Sequence, residues 1–351
     1  MTTKDRIISF LLNTAGPSIR MRVRREILGS LSAEEEQMLS EQIMTEPLYR
    51  LVADCQKENG WLGNGFHGPN KDAGPYENQE VGTKYLAEKG FGRENPVLSR
   101  AMDAFETVPL SDLCYRTRGK VYDEFRVAAN GQNLIRCACI ARAGFDDVID
   151  ISPQIRLALD SFQRVLEVDS ILDVSRSVKS SKYRVFNPFE KWPCRYHFDI
   201  LAHTQSWRSP ENCRMLADSF AKLMRRDRPE LVGLGAASWV GHVLGTLGCY
   251  TEGFSTRFEK DGRSLIQLET VEWMCRCGLY PFLPALREEV GILLDAVDAD
   301  GICRAAIDED FLHGISTYGG QQIEADWKTP VRKDCDTAFR VLLIGHHAGV
   351  F

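Results

Sequence analysis

Long apolar runs are missing from this sequence of 351 residues. A membrane-spanning helix needs about 18 or more consecutive apolar residues, and no segment approaches that length. The apolar stretch at residues 7–12 is about six residues long, which is too short for the core of a secretion signal. We therefore expect a cytoplasmic protein with no membrane insertion.

An excess of basic residues is also missing. Lysine and arginine total 43, whereas aspartate and glutamate total 49, which gives a net charge of −6. Broad nucleic-acid binding requires basic surface, so no nucleic-acid partner is expected. The one dense basic run, residues 20–25, follows the pattern of an amphipathic helix and is typical of a solvated face. The expected partner is a small-molecule ligand, and the sequence predicts no particular oligomeric state.

Motifs that would fix a reaction are missing as well. No GxGxxG follows a strand pattern, and the P-loop, HExxH and GxSxG patterns do not occur. The eleven cysteines contain no CxxC pair. Their odd number, in a long chain with no export signal, indicates small buried side chains rather than disulfides or a zinc site. No metal and no cofactor are predicted.

Helical periodicity with matching start signals is what the sequence does contain. Asn95-Pro96, Ser152-Pro153 and Ser209-Pro210 each place a capping residue before a proline, which suits a first helical turn. The three starts lie 57 residues apart, and another apolar helix pattern precedes each of them. The repeating unit is therefore a helix, a short turn, a second helix and a longer return.

Such a helix pair cannot bury its apolar face alone, so the pairs must stack on one another. Stacking gives an open solenoid or a closed ring. The last predicted helix, residues 335–346, is rich in apolar residues and does not resemble the polar cap of a solenoid. The sequence therefore predicts an all-α fold: a single α/α-toroid domain over residues 1–351, with a period of about 50–57 residues.

Three long returns combine aromatic residues, charges and glycine or proline. They cover residues 60–70, 187–199 and 318–334. Loops of this composition on a rigid scaffold often carry function, and we expect these returns to meet at one end of the ring.

Some of these residues resemble a known group of proteins. Residues 56–61, Gln-Lys-Glu-Asn-Gly-Trp, resemble the repeat of squalene and hopene cyclases and of protein prenyltransferase β subunits, and residues 298–302 look like a degenerate copy. Residues 17–28 and 192–199 are similar to segments of small bacterial squalene-cyclase-like proteins. The resemblance implies an α/α toroid with a central cavity for an apolar or isoprenoid-like molecule.

The motifs that carry the chemistry of those families are incomplete here. The cyclases protonate an alkene with an Asp-x-Asp-Asp motif, but residues 298–301 read Asp-Ala-Asp-Gly. Prenyltransferases hold zinc partly through Asp-x-Cys, but residues 334–336 read Asp-Cys-Asp. Neither mechanism carries over to this chain residue by residue.

Three residues are predicted to be catalytic. His197 titrates near neutrality when unperturbed, Asp199 can orient it or donate a proton, and Asp334 stands among carboxylates before the last helix. The predicted ligand-binding residues share positions in or beside the aromatic returns: Trp61, His67, Trp192, Arg195, Tyr196, His203 and Trp327. The structural alternative is that His197, Asp199 and Asp334 cap helices and that Trp61 packs in the core.

Three functions are compatible with these features. The first is an acid–base enzyme of the cyclase, isomerase or lyase type acting on an apolar or isoprenoid-like ligand. The second is a non-catalytic binding or scaffold protein on the same ring. The third is a carbohydrate-active α/α-barrel hydrolase or lyase that uses paired carboxylates.

Overall fold

A computed structural model of the chain describes residues 1–67, 74–108, 131–177, 184–186, 190–224, 254–317 and 319–351. Within these ranges the chain is mostly helical, and its strands form two short antiparallel hairpins. The prediction of a helical fold is confirmed at this coarse level, and the closed toroid stays a prediction. Residues 68–70, 187–189 and 318 of the predicted returns lie outside the described residues.

The elements follow one another in this order: α1 Thr3–Thr14, α2 Pro17–Arg22 with a π-helical continuation Val23–Leu28, α3 Ala33–Met44, α4 Pro47–Asp54, α5 Gln79–Glu88, α6 Pro96–Thr107, α7 Gly131–Arg142, α8 Ser152–Glu167, α9 Ile171–Val174, β1 Ser175–Ser177, β2 Arg184–Phe186, α10 Arg195–His203, α11 Pro210–Leu223, β3 Arg257–Lys260, β4 Arg263–Ile266, α12 Leu268–Arg276, α13 Pro284–Asp295, α14 Glu309–Leu312 and α15 Pro330–His347. The chain divides into two compact units. Unit 1 comprises Met1–Phe105, Thr256–Tyr280 and Pro284–Phe351, and unit 2 comprises Glu106–Ser255 and Pro281–Leu283.

The predicted helix starts are confirmed to within one residue. The side chains of Asn95 and Ser209 accept hydrogen bonds from backbone N–H groups in the first turns of α6 and α11. Ser152, in contrast, is already the first residue of α8 and does not cap it. Its own N–H donates to the carboxylate of Asp150 at 2.9 Å, so the chain before α8 is held by the aspartate instead.

Four helices end in the same glycine turn, which extends the repeat seen in the sequence. Gly90, Gly144, Gly278 and Gly349 follow α5, α7, α12 and α15, and each has a positive φ. In every copy, the N–H of the next residue donates to the carbonyl five residues back. This is the Schellman arrangement, and glycine adopts its left-handed backbone without steric cost.

In unit 1 the last helix lies at the centre of the packing. α15 contacts α1, α2 and α12, and residues 335–345 within it are all buried. α1 supplies Ile7 and Leu11, which have no exposed surface. The apolar character predicted for the last helix is confirmed, although it begins at Pro330 rather than near Cys335. The first and last helices of the chain therefore pack together.

In unit 2, α10 packs on α7 and α8, and α8 packs on α11. The aromatic rings of Phe162, Phe198, Phe220 and Phe254 form its core, with centroids 4.8 to 6.1 Å apart. Tilted and edge-on contacts of this kind add to the stabilisation that burial gives.

None of the helices in the described part of the chain is long and apolar enough to cross a membrane.

Candidate functional site

The predicted site residues are divided between the two units. Unit 1 holds Trp61, His67, Trp327 and Asp334, and unit 2 holds Trp192, Arg195, Tyr196, His197, Asp199 and His203.

In unit 2 a buried carboxylate joins a cation and a histidine. Arg142 at the end of α7 donates two hydrogen bonds to Asp199, from Nε to Oδ1 at 3.2 Å and from Nη2 to Oδ2 at 2.9 Å. His203 places its Nδ1 2.9 Å from Asp199 Oδ1 and 2.8 Å from the backbone oxygen of Asp199. Both neighbours of Nδ1 are acceptors, so Nδ1 carries a proton. In the neutral ring Nε2 is therefore the basic nitrogen.

In unit 1 a second buried carboxylate also joins a cation and a histidine. Glu80 on α5 has no exposed surface, and it contacts Lys84 Nζ through Oε1 at 2.7 Å and His67 Nδ1 through Oε2 at 2.6 Å. Burial alone would raise the pKa of Glu80, but Lys84 and the hydrogen bond from His67 hold that pKa below its usual value. Lys84 also donates to the carbonyl of Thr317, directly before the third predicted return. His67 is thereby held in the same tautomer as His203.

His197 is bound differently. Its Nδ1 accepts the backbone N–H of Cys194 at 3.0 Å, so the ring holds the first turn of α10 in place. Burial lowers the pKa of His197 to about 3, and the ring is therefore neutral at physiological pH. The structure thus supports a capping role for His197, whereas Asp199 binds Arg142 and His203. The predicted role of His197 as an acid or base stays a prediction that this environment disfavours.

The aromatic residues predicted to bind the ligand are mostly buried. Trp61 packs edge-on against Phe105 at 5.8 Å and on Phe66 at 5.9 Å, and its indole N–H donates to the carbonyl of Gly65. This arrangement is that of a core tryptophan. Trp192 and Tyr196 are buried at the start of α10 beside the half-buried Arg195. Ligand binding by these residues stays a prediction.

The return before α15 is organised by Asp336, a carboxylate that the sequence groups with Asp334 but does not predict to be catalytic. Asp336, fully buried, accepts hydrogen bonds from the backbone N–H groups of Ile323 and Glu324 and from Nε1 of Trp327 at 2.6 Å. Burial raises the pKa of Asp336 above its usual value. Trp327 therefore supports this loop, and its ring also lies on His313 at 4.7 Å.

Glu324 in this loop is a carboxyl that titrates near neutrality. Burial raises its pKa to about 7, the charge of the neighbouring Asp336 adds to the rise, and a hydrogen bond from Gly16 N–H at 2.7 Å opposes it. The predicted catalytic Asp334 lies outside this arrangement: it is half-buried, and Arg304 is 3.8 Å away.

A buried network of arginines and glutamates crosses four helices of unit 1. Arg340 on α15 contacts Glu88 on α5 at 2.7 Å and Glu272 on α12 at 3.1 Å, and Arg22 on α2 contacts Glu88 at 3.4 Å. Burial opposes the charge of Glu272, but Arg340 and Arg276 hold the pKa of Glu272 far below its usual range. Charged side chains thus lie on α5 and α12, which are buried along nearly their whole length, and on the buried central part of α15.

No cluster of three or more His, Cys, Asp or Glu side chains arranged to hold a metal ion occurs among the described residues. In each carboxylate–histidine pair the carboxylate orients the ring and fixes its tautomer, so that Nε2 is the nitrogen with the lone pair in the neutral ring.

Sequence reasoning missed Arg142, Glu80 and Lys84. The repeat could have predicted the contact of Arg142 with Asp199. The two residues are 57 positions apart, and 57 residues is also the spacing of the helix starts. Stacked repeats place equivalent positions side by side. Glu80 and Lys84 are four residues apart on a helix, but nothing in their spacing points to the loop residue His67.

Comparison with known proteins identifies no relative: no family model, no curated protein and no solved structure matches the chain.

Proposed function

We propose that this protein is an acid–base enzyme that acts on a small polar molecule, with His67 in unit 1 and His203 in unit 2 as the candidate proton-transferring groups, each within its own unit. One observation carries the proposal: in each unit a buried carboxylate holds a histidine through Nδ1 and a cation through an oxygen. The same arrangement orients the general base in many unrelated enzymes.

The buried charges favour a polar substrate over an apolar one. α5, α12 and residues 335–345 of α15 are almost entirely buried and still carry glutamates and arginines. Burying a charge without a partner or a polar environment costs several kcal/mol, roughly, so a cavity lined by such helices would suit a hydroxylated or charged molecule. This brings the proposal nearer to the carbohydrate-active alternative than to the isoprenoid one.

The α/α toroid remains our proposal for the architecture. It is supported by the repeated Schellman turns and by the packing of the first helix against the last, which leaves neither helix as an uncovered end.

Reaction with solvent deuterium tests the function while the substrate is still unidentified. The purified protein is incubated in heavy water with polar and lipid fractions of a cell extract, and mass spectrometry follows every molecule that gains or loses deuterium. We expect an enzyme-dependent change in the polar fraction that is reduced in His67→Asn, in His203→Asn or in both. His313→Asn, which alters an exposed histidine outside both pairs, is the matched control.

The proposal is wrong if neither fraction changes or if both variants remain as active as the wild type. A bound molecule that is retained without conversion would instead indicate the non-catalytic binding protein.

A second candidate, the apolar-ligand enzyme suggested by the resemblance to terpene cyclases, is favoured by one observation. Phe66, Trp61 and Phe105 form an aromatic cluster, and Phe66 directly precedes His67 in the chain. Aromatic faces stabilise cationic intermediates. A deuterium change confined to the lipid fraction would favour this candidate.

A further inference from the structure

His197 differs from the two paired histidines in which of its nitrogens carries the proton. The backbone N–H of Cys194 donates to Nδ1, so Nδ1 must supply a lone pair. Burial keeps the ring neutral, and a neutral imidazole has one proton. That proton therefore lies on Nε2, the opposite of the tautomer in His67 and His203.

The Nε2–H group of His197 is a buried donor that is not used within the described part of the chain. The side chain is 5% exposed, and Nε2 has no hydrogen-bond partner there. A buried donor left unpaired costs about 1–3 kcal/mol, so such groups are rare unless something else pairs with them. The fixed tautomer makes this group a donor only, held in one orientation by α10.

We propose that the Nε2–H of His197 is a hydrogen-bond donor for the carbonyl oxygen of a bound small molecule. A carbonyl oxygen only accepts hydrogen bonds, so one neutral donor satisfies it without a proton transfer. A hydroxyl group would bring a proton of its own that needs a further acceptor. The inference rests on the proposed function and narrows its substrate class, because a hydrogen bond to a carbonyl makes the neighbouring C–H bonds more acidic.

The variant His197→Asn separates this role from helix capping. The asparagine oxygen can take the place of Nδ1 and accept the N–H of Cys194, while nothing remains at the position of Nε2. We therefore expect a folded protein that lacks the donor. His313→Asn serves again as the histidine control.

Nuclear magnetic resonance of the whole chain with ¹⁵N-labelled histidine tests the tautomer directly. The expected spectrum shows His197 protonated on Nε2 alone and neutral well below the usual titration range of histidine. Acetone and acetamide are then added as carbonyl probes, with methanol as the hydroxyl control. We expect the carbonyl probes to move the Nε2–H resonance downfield and methanol to leave it in place, with no such signal in His197→Asn.

A spectrum with the proton on Nδ1 would overturn the proposal, as would a Nε2–H resonance that neither carbonyl probe moves. A response to methanol equal to that to acetone would overturn the choice of a carbonyl. None of these readings depends on turnover, so a failure here leaves the test of His67 and His203 intact, and the reverse also holds.

Discussion

Each unit holds a histidine and a cation on a buried carboxylate, but the two units take these residues from different elements. In unit 2, Asp199 and His203 lie four residues apart on one helix, and Arg142 grips the carboxylate with two hydrogen bonds. In unit 1, Glu80 lies on a helix, but its histidine comes from a loop, and its cation, Lys84, contacts it through Oε1.

The difference lies in rigidity and in the chemistry of the cation. A histidine on the same helix as its carboxylate is held by the helix itself, whereas a loop histidine depends on the packing around the loop. An arginine never loses its charge, whereas a buried lysine can release its proton when its carboxylate is removed. Unit 2 therefore has the more rigid pair and unit 1 the more adaptable one.

Removing the carboxylates should give the largest effects. Asp199→Asn leaves a buried guanidinium without its carboxylate, and we expect a loss of about 3–5 kcal/mol in the free energy of unfolding. Glu80→Gln should cost less, because it removes the contact of one lysine rather than two hydrogen bonds from a buried arginine. Denaturant unfolding of both variants measures the difference. Equal losses would show that the identity of the cation does not matter.

One buried group in unit 1 and one in unit 2 should change the stability with pH in opposite directions. The folded state raises the pKa of Glu324 in unit 1 from 4.5 to about 7, so the folded chain keeps a proton that the unfolded chain has lost. Between these pH values stability should fall as pH rises, by about 3 kcal/mol at most. Denaturant unfolding at pH 5 and pH 7 measures this change, and Glu324→Gln should abolish it.

The lowered pKa of His197 in unit 2 changes the stability with pH in the opposite direction. Its folded pKa of about 3 lies below the ordinary 6.5, so the unfolded chain binds the extra proton first as the solution is acidified. Stability should therefore fall as pH drops from 6.5 towards 3. The His197→Asn protein should lose less stability over that range in the same unfolding measurement. If the free energy of unfolding of this variant depended on pH as steeply as that of the wild type, the pH dependence would not come from His197.

Exchanging the cations should have a smaller effect. Arg142→Lys keeps the charge but replaces two hydrogen bonds with one, and we expect a loss of about 1–2 kcal/mol. Thermal unfolding measures it. A variant as stable as the wild type would show that the second hydrogen bond adds nothing.

Exposed pairs should have the smallest effect. Lys191 and Asp160 in unit 2 lie 2.6 Å apart, and both are about half exposed. Lys191→Ala should change the free energy of unfolding by less than about 1 kcal/mol. A larger loss would mean that surface contacts, rather than the buried carboxylates, distinguish the units.

The sequence named both members of one histidine pair, Asp199 and His203, as site residues, but of the other pair it named His67 alone. Asp199 and His203 share a helical face because side chains four apart on a helix are neighbours. Arg142 could have been found from the 57-residue period. His67 and Glu80 come together through a loop closure that no local rule specifies. The acidic neighbours of Asp334 predicted it to be catalytic. In the structure the buried carboxyl groups of the loop before α15 are instead those of Asp336 and Glu324.

The sequence by itself determined the local structure of this protein. Capping residues, prolines and left-handed glycines act over one helical turn, and they set where α6, α8 and α11 begin and where α5 and α7 end. Tertiary structure decided which nitrogen of His67 carries the proton, because Glu80 reaches the ring from 13 residues further along the chain. The partners of Nδ1 in His197 and His203 lie three and four residues away, in or directly before the same helix, so local structure already specifies them. What packing adds there is the burial that keeps the ring of His197 neutral.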